Sequence, residues 1–200
     1  MKKKIAIIEY NTGNVSAISN MLSKINEKSV ITSDPKIIED SEIIILPGVG
    51  SFDRAIKKLE EKNLIDILKL KISENTKILG ICLGMQILTL GSEEGDKEGL
   101  KVFDTYCKSF NKQNSKDIFM GWSNTKVKKN EYKFDFLNKS KFYFLHKYYF
   151  PYHQDYTIAI SENNLEFSSV VKKNNVFGVQ FHPEKSHNFG INFFKNFINI

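Results

Sequence analysis

The chain has 200 residues, 41% of them hydrophobic, which is enough to bury the core of one globular domain of ordinary size. It contains no apolar run near the roughly 18 residues that a membrane-spanning helix needs, so we expect no membrane association. The net charge is +6, but the lysines are scattered among asparagines and isoleucines, and Arg54 is the only arginine. This pattern argues against a nucleic-acid-binding surface. We expect a single domain over residues 1–200.

The amino-terminal segment resembles a signal peptide only superficially, because its apolar run, residues 5–8, is short and ends at Glu9. We interpret the run as a first strand and predict a cytoplasmic protein. The two cysteines, Cys82 and Cys107, have neither disulfide nor metal-ligand spacing, which fits a reducing compartment. We therefore expect neither a metal nor a cofactor.

Strands and helices alternate through the first half of the chain. Short apolar runs predict strands at residues 4–9, 29–32, 43–46 and 77–81. Apolar residues at helical spacing predict helices at residues 15–25 and 83–90 and one or two helices over residues 51–73, with a brief helical turn after Asp34 and with Ser51 as a cap. The alternation predicts an α/β fold, an open, mainly parallel sheet with helices on both faces. From residue 99 to about residue 168, dense aromatic residues and shorter runs predict added antiparallel strands.

A cysteine lies between two glycines where the strand at residues 77–81 ends, in the sequence GICLG. This pattern is typical of a nucleophile elbow, in which a strand passes into a helix and the nucleophile occupies a tight, strained turn. Backbone N–H groups at the start of the helix would favour the thiolate of Cys82, and the N–H of Leu83 would stabilise an oxyanion. Taken alone, the motif is equally compatible with a buried cysteine that packs between glycines.

A second motif is the apolar strand that ends at His182 and is followed by Pro183 and Glu184. A histidine after one strand can face a thiol after another strand of the same sheet, and the proline restricts the backbone so that the carboxylate reaches the far ring nitrogen. We predict a catalytic triad of Cys82, His182 and Glu184. Cys107 is interpreted as a packing residue.

The loop PGVG, residues 47–50, follows the third strand. Its glycines allow a backbone N–H to turn toward Cys82, so we predict that Val49 and Gly50 contribute to an oxyanion hole. A simple strand-to-helix turn is the alternative interpretation. The carboxyl ends of parallel strands meet at one sheet edge, so this loop, residues 11–14 and Cys82 should converge there.

These motifs together resemble the class I, or triad, glutamine amidotransferases. The resemblance to the family rests on GICLGMQ at residues 80–86, the 47–50 loop and residues 177–186. Residues 10–14 and 120–122 also fit the HisH subfamily within it. The resemblance to this subfamily covers essentially the full chain. It implies that Cys82 attacks the amide of glutamine. It also implies that Gly50, Gln86 and the backbone around Leu83 hold that substrate.

The same resemblance implies a partner subunit. HisH-type chains form a heterodimer with a HisF-type (β/α)₈ cyclase, which uses the ammonia to make imidazole glycerol phosphate and AICAR in histidine biosynthesis. Nothing in the sequence provides an acceptor-substrate domain, which agrees with a separate partner chain. Trp122 and Lys185 are the residues that we predict for the docking face.

Three positions depart from the subfamily pattern: Phe119, Ser123 and Lys147. The altered stretches lie near the glutamine pocket and the docking face in the family, so an alternative is a paralogue that supplies ammonia for amidination of a sugar in surface polysaccharide or glycoprotein synthesis. Two further alternatives are a cysteine hydrolase acting alone on an ester or peptide, and a stress or chaperone-like protein with an oxidisable cysteine. The segment at residues 182–184 argues against both.

Overall fold

The computed structural model describes residues 3–110, 118–128 and 132–200. The helices are α1 (Val15–Lys24), α2 (Pro35–Glu39), α3 (Phe52–Glu61), α4 (Ile65–Ser73), α5 (Leu83–Ile87) and α6 (His187–Asn199). The strands are β1 (Ile5–Ile8), β2 (Ser29–Thr32), β3 (Ile43–Leu46), β4 (Lys77–Ile81), β5 (Gly91–Ser92), β6 (Tyr106–Ser109), β7 (Phe119–Asn124), β8 (Lys126–Val127), β9 (Lys141–His146), β10 (Tyr148–Tyr149), β11 (Thr157–Asn163), β12 (Leu165–Lys173) and β13 (Val176–Val179). Short 3₁₀ helices cover Tyr132–Lys139 and Pro183–Lys185. Within the described ranges, no helix combines the length and the apolar character required to cross a bilayer.

An eight-stranded sheet forms the centre of the fold, in the order β2-β1-β3-β4-β13-β12-β11-β8. The strands from β2 to β13 in this order pair in parallel, and β12, β11 and β8 continue the sheet with antiparallel pairing. Smaller sheets pair β7 with β9 and β10 with β6 and β5. The predicted fold, a mainly parallel α/β sheet with antiparallel strands in the second half, is confirmed.

The short apolar strands are buried on both faces of this sheet, because successive side chains of a strand point to opposite sides. Ile5 and Ile7 of β1 belong to a core on the side of α1 and α6, with Phe193 among its aromatic residues. Ile8 of β1 and Ile44 of β3 belong to a second core on the side of α3, α4 and α5. Helices therefore cover both faces of the sheet.

The strand registers set the position of the site. Leu46 of β3 pairs with Gly80 of β4, and Val179 of β13 pairs with Ile81. The carboxyl ends of these three strands therefore lie side by side. The residues that follow them, including the 47–50 loop and Cys82, reach the same edge of the sheet, as the sequence predicted.

One local prediction was wrong, and another was confirmed only for the position of the residue. The elbow helix was expected to reach residue 90, but α5 ends at Ile87, since the carbonyls of Ile87 and Leu88 accept hydrogen bonds from N–H groups of the later loop at Leu100 and Val102 (2.7 and 2.9 Å). Ser51 does occupy the N-cap position of α3, but its side chain makes no capping hydrogen bond.

Candidate active site

The turn between β4 and α5 has the strained geometry of a nucleophile elbow. Cys82 adopts φ 52° and ψ −107°, a conformation that costs energy for a residue with a Cβ. A Cβ on Gly80 would lie 2.6 Å from the carbonyl oxygen of Gly84, and a Cβ on Gly84 would overlap the carbonyl oxygen of Leu46. Both flanking positions therefore require glycine.

A cavity of about 310 Å³ opens over this turn. Its volume is at the lower end of the range for small-molecule sites and suits a single amino acid. Six residues predicted from the sequence line it: Val49, Gly50, Cys82, Leu83, Gln86 and His182. Glu184, the remaining residue of the predicted triad, lies behind His182.

His182 is fixed by two neighbours that follow it in the chain. Its Nδ1 lies 2.8 Å from Oε1 of Glu184, and both side chains are almost fully buried. A carboxylate oxygen only accepts, so Nδ1 carries the proton and donates it to Glu184. The hydroxyl of Ser186 donates to the carbonyl of His182 (2.6 Å). The ring is therefore held in one orientation, with Nε2 on the side of the ring away from Glu184.

The electrostatics favour the protonated ring. Burial lowers the pKa of His182, but Cys82 and Glu184 raise it by more, so that its pKa lies well above the ordinary value. Nε2 itself makes no hydrogen bond of ordinary geometry among the described residues. Cys82 and His182 are thus adjacent and electrostatically coupled, and catalytic hydrogen bonds often tighten only when substrate binds.

The 47–50 loop is held by a hydrogen bond from Tyr10, the first residue of the 10–14 segment. The buried hydroxyl of Tyr10 donates to the carbonyl of Pro47, and burial raises the pKa of this tyrosine. Gly50 has φ 103°, a conformation that favours glycine. The N–H of Leu83 lies in the first turn of α5 and has no intrahelical acceptor. Backbone donors of the loop and the helix therefore border the same cavity.

Sequence reasoning missed several charged or polar residues of the cavity wall, among them Glu94 and His146. The Glu94 carboxylate is half-buried and accepts from the N–H of Phe52 (2.8 Å), so it caps α3 where Ser51 was expected to. Burial raises the pKa of Glu94. Glu94 lies in a polar stretch with several other acidic residues, and nothing in the sequence distinguishes it from them.

His146 is buried at the end of β9, on the same side of that strand as Phe142 and Phe144. Its Nδ1 donates to the carbonyl of Tyr148 (2.9 Å), and burial lowers its pKa to about 3. The ring is therefore neutral and cannot supply a proton near neutral pH. Every second residue of the run FYFLH is buried, and this strand-like alternation could have predicted that His146 is buried too.

A further missed residue is Gln180, which is fully buried beside Cys82. Its Nε2 lies 3.7 Å from the Cys82 sulfur, and the carbonyl of Leu145 lies 3.7 Å from the same sulfur. Gln180 is the polar residue in the apolar run VFGVQF, which could have marked it.

The residues predicted for docking meet on one surface. Trp122 is 39% exposed and stacks on His187, with ring centroids 5.6 Å apart. Trp122 also makes an edge contact with Tyr143 (6.1 Å), and Lys185 Nζ lies over the ring of Tyr143 (5.7 Å). Met120, on the same face of β7, is 67% exposed. We call Met120, Trp122, Tyr143 and Lys185 the β7 face.

The three departures from the subfamily pattern have different surroundings. Lys147 lines the cavity beside Glu94. Phe119 stacks on Phe144 (5.3 Å) and contacts the edge of His146. Ser123 is half-buried on β7, and its hydroxyl bonds locally to the carbonyl of Asn124. Of the three, Lys147 is the one that reaches the cavity directly.

Cys107 lies in the core, where Thr89 Oγ1 is 3.8 Å from its sulfur and burial raises its pKa to about 12. This setting fits the packing role expected for it.

Across the described parts of the chain, no group of three His, Cys, Asp or Glu side chains is arranged to hold a metal ion.

A family model for the class I glutamine amidotransferases matches residues 6–200. The chain belongs to this family. Within the family it belongs to the HisH subunits: the imidazole glycerol phosphate synthase subunit HisH 2 of Methanococcus maripaludis is 46% identical over 97% of this chain and 98% of its own length. The HisH subunit of Buchnera aphidicola is 41% identical over 98% of this chain and 99% of its own length, and HisH 2 of Pseudomonas aeruginosa is 36% identical over the same shares.

Solved structures of more distant proteins share the fold. PurLQS from Thermotoga maritima matches with a TM-score of 0.72 at 18% identity, over 100% of this chain and 99% of its own. The glutaminase domain of CTPS from Trypanosoma brucei matches with a TM-score of 0.67 at 14% identity, over 99% of this chain and 94% of its own. At such identities the likeness of this amidotransferase to both concerns the fold alone.

Proposed function

We propose that this class I amidotransferase is the glutaminase subunit of an imidazole glycerol phosphate synthase, and that it works as a single domain in the cytoplasm. The observation that carries the proposal is the strained Cys82 turn and the buried His182–Glu184 pair at the wall of one cavity of amino-acid size. The 46% identity to a HisH subunit over nearly the full chain supports the assignment to that synthase.

In the proposed reaction, the Cys82 thiolate attacks the side-chain carbonyl carbon of glutamine. Backbone N–H groups of Gly50 and Leu83 stabilise the oxyanion, with Val49 positioning the loop. His182 gives its Nε2 proton to the leaving nitrogen, so that ammonia departs and a γ-glutamyl thioester remains on Cys82. His182 then takes a proton from water, the hydroxide displaces the sulfur, and glutamate leaves. Glu184 orients His182 throughout.

We further assign the recognition of the amino-acid end of glutamine to Glu94 and Lys147. These side chains of opposite charge line the same cavity as Cys82, and Lys147 lowers the pKa that burial raises at Glu94. A zwitterionic substrate offers an ammonium to the first and a carboxylate to the second. Replacing Lys147 by serine should therefore raise KM for glutamine about tenfold with little change in kcat, and an unchanged KM would contradict this assignment.

The partner in this proposal is a HisF-type (β/α)₈ cyclase that docks on the β7 face. Free ammonia would be lost to solvent, so the product must pass directly to a second active site. Tyr143 of that face is bonded to the catalytic segment: its carbonyl accepts from the N–H of His182 (2.8 Å), and its N–H donates to the hydroxyl of Ser186 (3.0 Å). Docking would therefore act on the position of His182, and glutamine hydrolysis should be slow without the partner.

The test is to co-purify the native partner and supply the complex with phosphoribulosyl-formimino-AICAR phosphate and glutamine. We expect imidazole glycerol phosphate, together with glutamine hydrolysis that this substrate stimulates. Ammonium salts at high pH should replace glutamine as the nitrogen source. Glutamine hydrolysis that the substrate fails to stimulate would contradict the histidine pathway and favour the sugar-amidination alternative instead.

A further inference from the structure

A buried glutamine beside the candidate nucleophile has no role in the mechanism above. Gln180 is fully buried at the end of β13, and its backbone N–H is fixed by the carbonyl of Ser169 (3.0 Å). Its side chain lies between Gln86, which faces the cavity, and the sulfur of Cys82. A buried primary amide is costly unless its polar atoms are bonded, so its partners indicate what it does.

The orientation of this amide follows from a backbone carbonyl two hydrogen bonds away. The carbonyl oxygen of Tyr148 can only accept, so the Gln86 atom that lies 2.8 Å from it must be Nε2, a donor. The same Nε2 lies 3.3 Å from Gln180, which must therefore present its oxygen there. The remaining atom of the Gln180 amide, its Nε2, is left facing the Cys82 sulfur at 3.7 Å. The donor and the acceptor of each hydrogen bond in this series are thus fixed by the Tyr148 carbonyl.

We propose that Gln180 is a positioning residue for the nucleophile: its amide N–H donates a hydrogen bond to the thiolate of Cys82 and holds the sulfur in place for attack. The inference rests on the proposed role of Cys82 as nucleophile. It also assigns Gln86 a second task, because Gln86 sets the direction in which the Gln180 amide points.

The carbonyl of Leu145 is the reason why a Cys82 thiolate needs a hydrogen-bond donor beside it. It lies 3.7 Å from the same sulfur and accepts a hydrogen bond from the thiol, but it repels the thiolate. Gln180 does the opposite, since an N–H stabilises the anion more than the neutral thiol. An amide also keeps its proton at any physiological pH, so Gln180 stabilises the anion without competing with His182 for proton transfer.

The test is the rate at which iodoacetamide alkylates Cys82 as a function of pH, with the Cys82 peptide quantified by mass spectrometry so that Cys107 does not contribute. Gln180→Met keeps the size of the side chain but removes both polar atoms. Gln180→Glu keeps the acceptor for Gln86 and loses the donor. Gln154→Met, at an exposed position, is the matched control.

We expect alkylation of Gln180→Met near neutral pH to be about tenfold slower than in the wild type, as loss of a hydrogen bond to a charged group implies. Gln180→Glu should be slower still, and Gln154→Met unchanged. The rates should converge at high pH, where every thiol has ionised. A reduced rate that persists at high pH, or profiles of both Gln180 variants that match the wild type, would overturn the proposal. Alkylation requires no glutamine, so this outcome is independent of whether the chain hydrolyses glutamine.

Discussion

At the scale of single residues, Glu184 is one of the two neighbours that raise the pKa of His182, so in the proposed mechanism it contributes to the pH range in which the ring can donate a proton. Two opposing effects act on the ring: burial lowers the pKa of His182, whereas the neighbouring Cys82 and the carboxylate of Glu184 raise it by a larger amount. In the proposed mechanism the imidazolium protonates the leaving nitrogen, so we expect activity to fall as pH rises through this raised pKa. We therefore expect the carboxylate to extend activity toward alkaline pH.

Glu184→Gln tests this point. The amide keeps nearly the same shape but removes the negative charge that raises the pKa of His182, so the alkaline limb of kcat/KM against pH should move to lower pH. We also expect kcat to fall by about a hundredfold or more, because the amide can stabilise the wrong tautomer. An alkaline limb at the same pH in the variant and the wild type would show that Glu184 does not set the charge of the ring.

At the scale of elements, the packing of α5 against β3 and β4 leaves no room for a side chain at Gly84. The added methyl group of Gly84→Ala would overlap the carbonyl oxygen of Leu46 in β3. We expect the free energy of unfolding to fall by about 3 kcal/mol, measured by urea denaturation. Gly50→Ala is the comparison, since its methyl group would have no neighbour within 4 Å. It carries only the strain of a positive φ, about 1 kcal/mol. Equal losses in the two variants would contradict the packing argument.

Some elements and site residues could be predicted from the sequence, and others could not. β1, β3 and β4 were predictable because continuous apolar runs such as IIIL are typical of strands buried on both faces. The end of α5 was not, because its last carbonyls are bonded by residues 100–102, which are distant in the pattern that defines a helix. Within the candidate site, Cys82 and His182 belong to recognisable motifs, because glycines lie two residues to either side of Cys82 and a proline follows His182. Glu94 is distinguished only by its tertiary neighbour Phe52, and no local pattern encodes that contact.

At the scale of the whole molecule, the β7 face is the proposed partner surface, and its residue Tyr143 is hydrogen-bonded to His182 and Ser186 of the candidate site. Trp122 is a large, half-exposed aromatic residue, the type that most often dominates the energy of an interface. Trp122→Ala should weaken binding of the cyclase by about 2 kcal/mol, or roughly thirtyfold in Kd, and should lower partner-stimulated hydrolysis accordingly. Isothermal titration calorimetry measures the affinity. Tyr152→Ala, at an exposed aromatic residue outside this face, is the control and should bind normally.

The proposed glutaminase activity requires Cys82 as the nucleophile. The most direct measurement is the release of glutamate from glutamine by the Cys82→Ala variant, assayed with the partner and the partner's substrate present. The elbow accepts a small residue, so the variant should fold and bind the partner as the wild type does. Hydrolysis should fall by more than about a thousandfold, because a thioester requires a cysteine and Cys107, the other cysteine of the sequence, does not line the cavity. Glutamate release at a rate near that of the wild type would contradict the mechanism.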